Sequence, residues 1–182
     1  MVRSPTLQSR VNSPRNSFPR LWRVGLRIEY RVMSSTSAPH CSILTRLNKW
    51  SHTSLAQKRV GIRIQCPIES ADWEAPLIPD VAWVLDKNYY RTHPTPAEVQ
   101  LIIEVADATT LEDDCGRKME LLARAGIPEY WVVNLNDCLV YVFRKPGGMA
   151  YQEIRTLSFK DELGPAAYPE IKLPVLSLLA VP

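Results

Sequence analysis

The chain has 182 residues, 46% of them hydrophobic and 23% charged, with a formal net charge of +3. This is enough for one ordinary globular domain and too mixed for a disordered polymer. No apolar run approaches the roughly 18 residues of a membrane span. Cys41, Cys66, Cys115 and Cys138 lack zinc-ligand spacing and read as reduced cytosolic thiols, so the expected location is cytoplasmic.

The net charge hides an asymmetry. Through Arg63 there are 12 Lys/Arg against one acid; from Ile64 onward there are 10 against 18. A basic face attracts a nucleic-acid backbone, whereas the acidic half repels one unless its carboxylates hold metal ions.

Residues 1–32 are rich in Arg, Ser, Asn and Pro and show no sustained period. Three readings stay open for them: a disordered basic arm, a segment with transit-peptide composition, or misassigned sequence ahead of the domain. A secretory signal is excluded because no apolar core segment exists. Residues 33–182 are expected to form a single domain.

From Cys41 to Gln57, Ile43, Leu44, Leu47 and Trp50 share one helical face, which predicts an amphipathic helix. Alternation from Val60 to Cys66 predicts a half-buried strand ending at Pro67. Asp80–Leu85 and Gln100–Val105 read as strands, separated by a Pro-containing loop. A helix is expected from Cys115 to Ala125, stopped by Gly126 and Pro128. Tyr130–Val133 and Cys138–Phe143 suggest a hairpin, Lys145–Gly148 a turn, and Tyr151–Leu157 a last strand. Two Pro-broken apolar pieces in Tyr168–Ala180 are expected to cap the core. The order of elements indicates an α/β fold with a mixed sheet.

Glu104 is the residue that most needs an explanation, because a buried-type strand seldom carries a charge without a partner or a metal. Asp80, one strand earlier, could lie near it, and two close carboxylates do not both stay ionised cheaply without a cation. The alternative leaves Asp80 as a turn residue and Glu104 as a surface acid. Lys118, on the following helix, could reach the same place. It shares a helix face with Asp114 four residues before it, or else it is a solvated lysine.

Several stretches carry a resemblance. They are SAPH at Ser37–His40, IQCPI at Ile64–Ile68, IPDVAWV at Ile78–Val84, and above all IIEVADATTLEDDCGRKMELLARAGIPEYWVVNL at Ile102–Leu135. From about Met33 onward, some four fifths of the chain, the sequence resembles the Uma-type restriction endonuclease family of the PD-(D/E)XK nuclease superfamily. The resemblance implies a restriction-endonuclease-like sheet flanked by helices. It implies that Asp80 and Glu104 bind Mg²⁺ or Mn²⁺ and that Lys118 is catalytic, with Asp114 orienting it and His40 and Gln65 as further catalytic positions. The superfamily's usual lysine, two residues after the second acid, is replaced here by Ala106. Where relatives carry a segment like YELIDGEV, this chain has RVGLRIEYRVM at Arg23–Met33. The implied activity is metal-dependent hydrolysis of DNA. The alternative is an inactive nuclease-fold protein that binds nucleic acid. DNA is the expected partner, no membrane is expected, and a homodimer stays open.

Overall fold

The computed structural model describes residues 37–56 and 58–180; residues 1–36, Gln57 and residues 181–182 lie outside them, and with them the whole of the 1–32 arm. Six strands form one sheet in the order β1-β2-β3-β4-β5-β6: Val60–Ile64, Val81–Leu85, Val99–Ala106, Glu129–Asn134, Leu139–Gly147 and Ala150–Leu157. All neighbours are antiparallel except β3 and β4. A parallel pair cannot be joined by a tight turn. The chain between β3 and β4 accordingly crosses over through two short helices, α2 (Leu111–Cys115) and α3 (Arg117–Arg124). The architecture is the α/β mixed sheet with flanking helices that the order of elements implied.

Helix α1 (Ala38–Leu55) covers one face of the sheet. It begins three residues before the expected Cys41, because Ser37 is extended and its Oγ accepts the His40 amide at 3.4 Å. A serine cap followed by proline in the first turn is a strong start signal. Ile43, Leu47 and Leu55 pack against Val81, Trp83, Ile103, Val105 and Trp131. The Trp83 indole donates to Ser51 Oγ at 3.0 Å, which satisfies both polar groups inside that layer. Ile171, Leu173, Val175 and Leu178 close the same core from the C-terminal side, as the Pro-broken pieces suggested.

The opposite face carries Ala82, Val84, Ile102, Ala106, Tyr130 and Val132, and α3 covers it with Leu122 and Ala123. The helix expected over Cys115–Ala125 is α3, and a short α2 that the sequence did not suggest joins it at Gly116. A Cβ on Gly116 would lie 2.8 Å from the Glu112 carbonyl oxygen, so only glycine allows this joint. Lys145–Gly148 is also different from expectation. Strand β5 runs through Gly147, and the reversal sits at Gly148, at φ +72°, and Met149. A two-residue pairing of β7 (Glu162–Leu163) with β8 (Leu173–Pro174), followed by α4 (Val175–Leu179), had no counterpart in the sequence reading.

Candidate active site

Val81 pairs with Ile103, and continuing that antiparallel register by one step sets Asp80 opposite Glu104. Their side chains therefore leave the same face of the sheet, at the end where β3 hands over to the crossover. The Asp80 amide lies 3.4 Å from Glu104 Oε2, and Asp80 Oδ2 accepts the Val105 amide at 2.8 Å. Asp80 Oδ1 takes two further contacts, His40 Nε2 at 3.2 Å and Gln65 Nε2 at 3.4 Å. His40 arrives from the first turn of α1. Gln65 directly follows β1 with φ +48°, which turns the chain as it leaves the strand.

Lys118 comes from α3, over the same sheet face that carries the Glu104 side chain. Its Nζ lies 3.1 Å from Glu104 Oε1 and is hydrogen-bonded to Asp114 Oδ1. Asp114 lies in the last turn of α2 and Lys118 in the first turn of α3, so the joint at Gly116 sets the spacing between them. The Tyr130 hydroxyl, reaching over from β4, donates to the Asp114 backbone carbonyl at 3.1 Å. Burial of this group is deep: Asp80 is 8% exposed, Glu104 4%, Asp114 2% and Lys118 8%.

The electrostatics follow from that burial. Desolvation pushes Glu104 up to about 8 against the pull of Lys118, with the neighbouring Asp80 and Asp114 charges adding to the rise. Burial also acts to raise Asp80, but the bonds from His40, Val105 and Gln65 outweigh it and hold the carboxyl below its usual range. Lys118 is pulled down by desolvation and raised further by Glu104 and Asp114, so it keeps its proton. The hydrogen bond to Asp80 raises His40 above its ordinary value.

All six residues singled out in the sequence, His40, Gln65, Asp80, Glu104, Asp114 and Lys118, meet in this one network. Sequence reasoning missed two members. The Val105 amide leaves no mark in a sequence. Tyr130 did leave one, since a buried tyrosine in a strand needs a partner for its hydroxyl. His93 lies elsewhere, 3.9 Å from Glu69, and Cys66, Cys115 and Cys138 carry no disulfide. No helix among the described residues is long and apolar enough to cross a membrane.

A second buried acid gives a contrast. Glu129, 1% exposed at the start of β4, accepts from Trp131 Nε1 and Arg144 Nε at 2.7 Å and from the Ala166 amide at 2.6 Å. It is satisfied on all sides and ties β4, β5 and the C-terminal segment together. Glu104 is not, because its Oε1 has the Lys118 ammonium nearby but no donor in hydrogen-bond geometry.

The family model for Uma2, described as "Putative restriction endonuclease", matches residues 28–176, starting five residues ahead of Met33. A crystal structure of a putative nuclease from Anabaena variabilis is similar, with a TM-score of 0.64 and 13% identity over 79% of this chain and 81% of that one. At that identity the likeness shows the fold. No curated protein matches the sequence. With four fifths of its length matched and the fold of the similar structure in place, the chain belongs to the Uma2 family, the family described as "Putative restriction endonuclease".

Proposed function

We propose that this protein is a metal-dependent endonuclease that hydrolyses phosphodiester bonds in DNA. The observation that carries the reading is the convergence of Asp80, Glu104 and Lys118 from three separate elements, with one buried carboxylate oxygen of Glu104 left without a hydrogen-bond donor. Two buried acids this close are costly together, and a divalent cation between Asp80 and Glu104 is the partner that would resolve them.

Asp80 and Glu104 are the residues that would hold Mg²⁺ or Mn²⁺. Among the described residues no three His, Cys, Asp or Glu side chains are grouped to hold a metal. Magnesium does not require such a cage, since it is commonly held by one or two carboxylates and completed by water and substrate phosphate. The donor set therefore fits. When bound, such an ion polarises a phosphate oxygen and makes a water more acidic.

The remaining chemistry belongs to the chain. His40, Gln65 and the Val105 amide fix the Asp80 carboxylate. Lys118 holds its proton, so its contribution is positive charge set beside the phosphate where negative charge grows, rather than proton removal. Asp114 fixes the direction of that ammonium. No covalent nucleophile is required. Affinity for the DNA backbone would draw on the basic residues concentrated before Ile64.

Incubating the purified protein with supercoiled plasmid and Mg²⁺ or Mn²⁺ tests the reading. Nicking above the level of an Asp80→Ala control is the expected result; equal rates would sink it. A second reading draws on the Lys118 ammonium, which already stands 3.1 Å from Glu104 Oε1 where a metal ion would sit. A closed network of this kind also suits a protein that binds nucleic acid without cutting it. Salt-dependent DNA binding that survives Glu104→Ala, with no turnover, is the outcome that favours it.

A further inference from the structure

Strand β6 is the last in the sheet, and no strand among the described residues pairs with its outer side. Open edges of this kind are templates for pairing with another chain. Seven large hydrophobic side chains are exposed among the described residues. Three of them, Met149, Ile154 and Phe159, fall on β6 or immediately beyond its ends. Ile154, at 59% exposure, stands mid-strand between Glu153 and Arg155.

We infer that two copies of this chain pair through β6, edge to edge and antiparallel, about a two-fold axis at Ile154. In that register Glu153 of each copy lies opposite Arg155 of the other, and Ile154 meets its own counterpart. Opposite charges facing each other across antiparallel strands are favourable, and like charges are not. A slip of two residues either way opposes Glu153 to Glu153 or Arg155 to Arg155, so the charge pattern selects one alignment. Glu153 also has Lys145 at 3.1 Å within its own chain, and a carboxylate with two oxygens can serve both cations. Closing both edges against each other removes the template, which a lone monomer leaves exposed. This pairing does not depend on the nuclease reading.

Sedimentation of the full chain across about a hundredfold range of concentration tests it, because a reversible dimer dissociates by mass action. Wild type is expected to show a monomer–dimer equilibrium. Glu153→Arg turns both symmetry-related pairs repulsive and is expected to weaken dimerisation by about tenfold or more. Adding Arg155→Glu to the same chain swaps the charges and is expected to restore the dimer. Circular dichroism verifies that each variant is folded. Should Glu153→Arg misfold, Ile154→Lys takes its place and is expected to be monomeric. A wild type that stays monomeric throughout, a folded Glu153→Arg that dimerises as wild type does, or a folded double variant that stays monomeric each overturns the inference.

Discussion

Asp80 and Glu104 oppose each other across the end of β2 and β3, close enough for the Asp80 amide to lie 3.4 Å from Glu104 Oε2. Two acids in one buried place cannot share the ionised state equally. Here the hydrogen bonds go to Asp80, and Glu104 is the one pushed up to about 8.

That shift fixes the sign of a pH dependence. Unfolded, Glu104 loses its proton near its ordinary value of 4.5; folded, it holds the proton to about 8. Its contribution to stability is therefore complete below the lower value and lost as pH rises through the upper one. Asp80 has the opposite sign, so the comparison belongs above pH 5, where its depressed carboxyl stays ionised. Without metal, the wild-type Tm is expected to fall more steeply from pH 5 to 8 than that of Glu104→Gln. Scanning calorimetry giving parallel slopes would contradict this.

Lys118→Met removes the cation between two buried acids and leaves Glu104 and Asp114 without it. Breaking a buried pair on one side costs about 3–5 kcal/mol. Urea denaturation is expected to show a loss of that size. Adding Asp114→Asn should recover part of it, since the acid hydrogen-bonded to Lys118 is then replaced by an amide.

Tyr130→Phe strips the hydroxyl from the Asp114 carbonyl while keeping the ring in the core. The carbonyl stays buried, so the cost is about 1–3 kcal/mol. Because Asp114 sets the direction of Lys118, nicking is expected to slow more than DNA binding weakens. Equal loss of both would assign Tyr130 to packing alone.

His40→Ala takes away a contact to Asp80 Oδ1 and leaves Gln65 and the Val105 amide to hold the carboxylate. Groups that orient a metal ligand are typically worth about 10–100-fold in metal affinity. Mn²⁺ affinity is expected to fall by an amount in that range. No change would remove His40 from the site.

Much of this arrangement was legible in the sequence because it rests on local patterns. The lone acid at the end of an apolar strand, and the i,i+4 spacing of Asp114 and Lys118, are both visible without coordinates. Less visible was how α1 begins: the apolar face predicts a start at Cys41, but the capping geometry of Ser37 and Pro39 extends the helix back to include His40. Helix α2 escaped notice because Leu111–Cys115 is too short to show a helical period, and only the close Glu112 carbonyl reveals why glycine stands at its junction with α3. Glu129 escaped for a different reason. It is as buried as Glu104, and its partners, Arg144 and the Ala166 amide, come from parts of the chain that periodicity cannot connect.

Titration calorimetry with Mn²⁺ at pH 8, on wild type, Asp80→Asn and Glu104→Gln, addresses the central claim most directly. Wild type is expected to bind one ion per chain at this place, with affinity rising with pH as the Glu104 proton is displaced. Either substitution is expected to abolish that binding while the protein stays folded. Binding that is absent from folded wild type, or unchanged in both variants, would show that the two acids do not form a cation site.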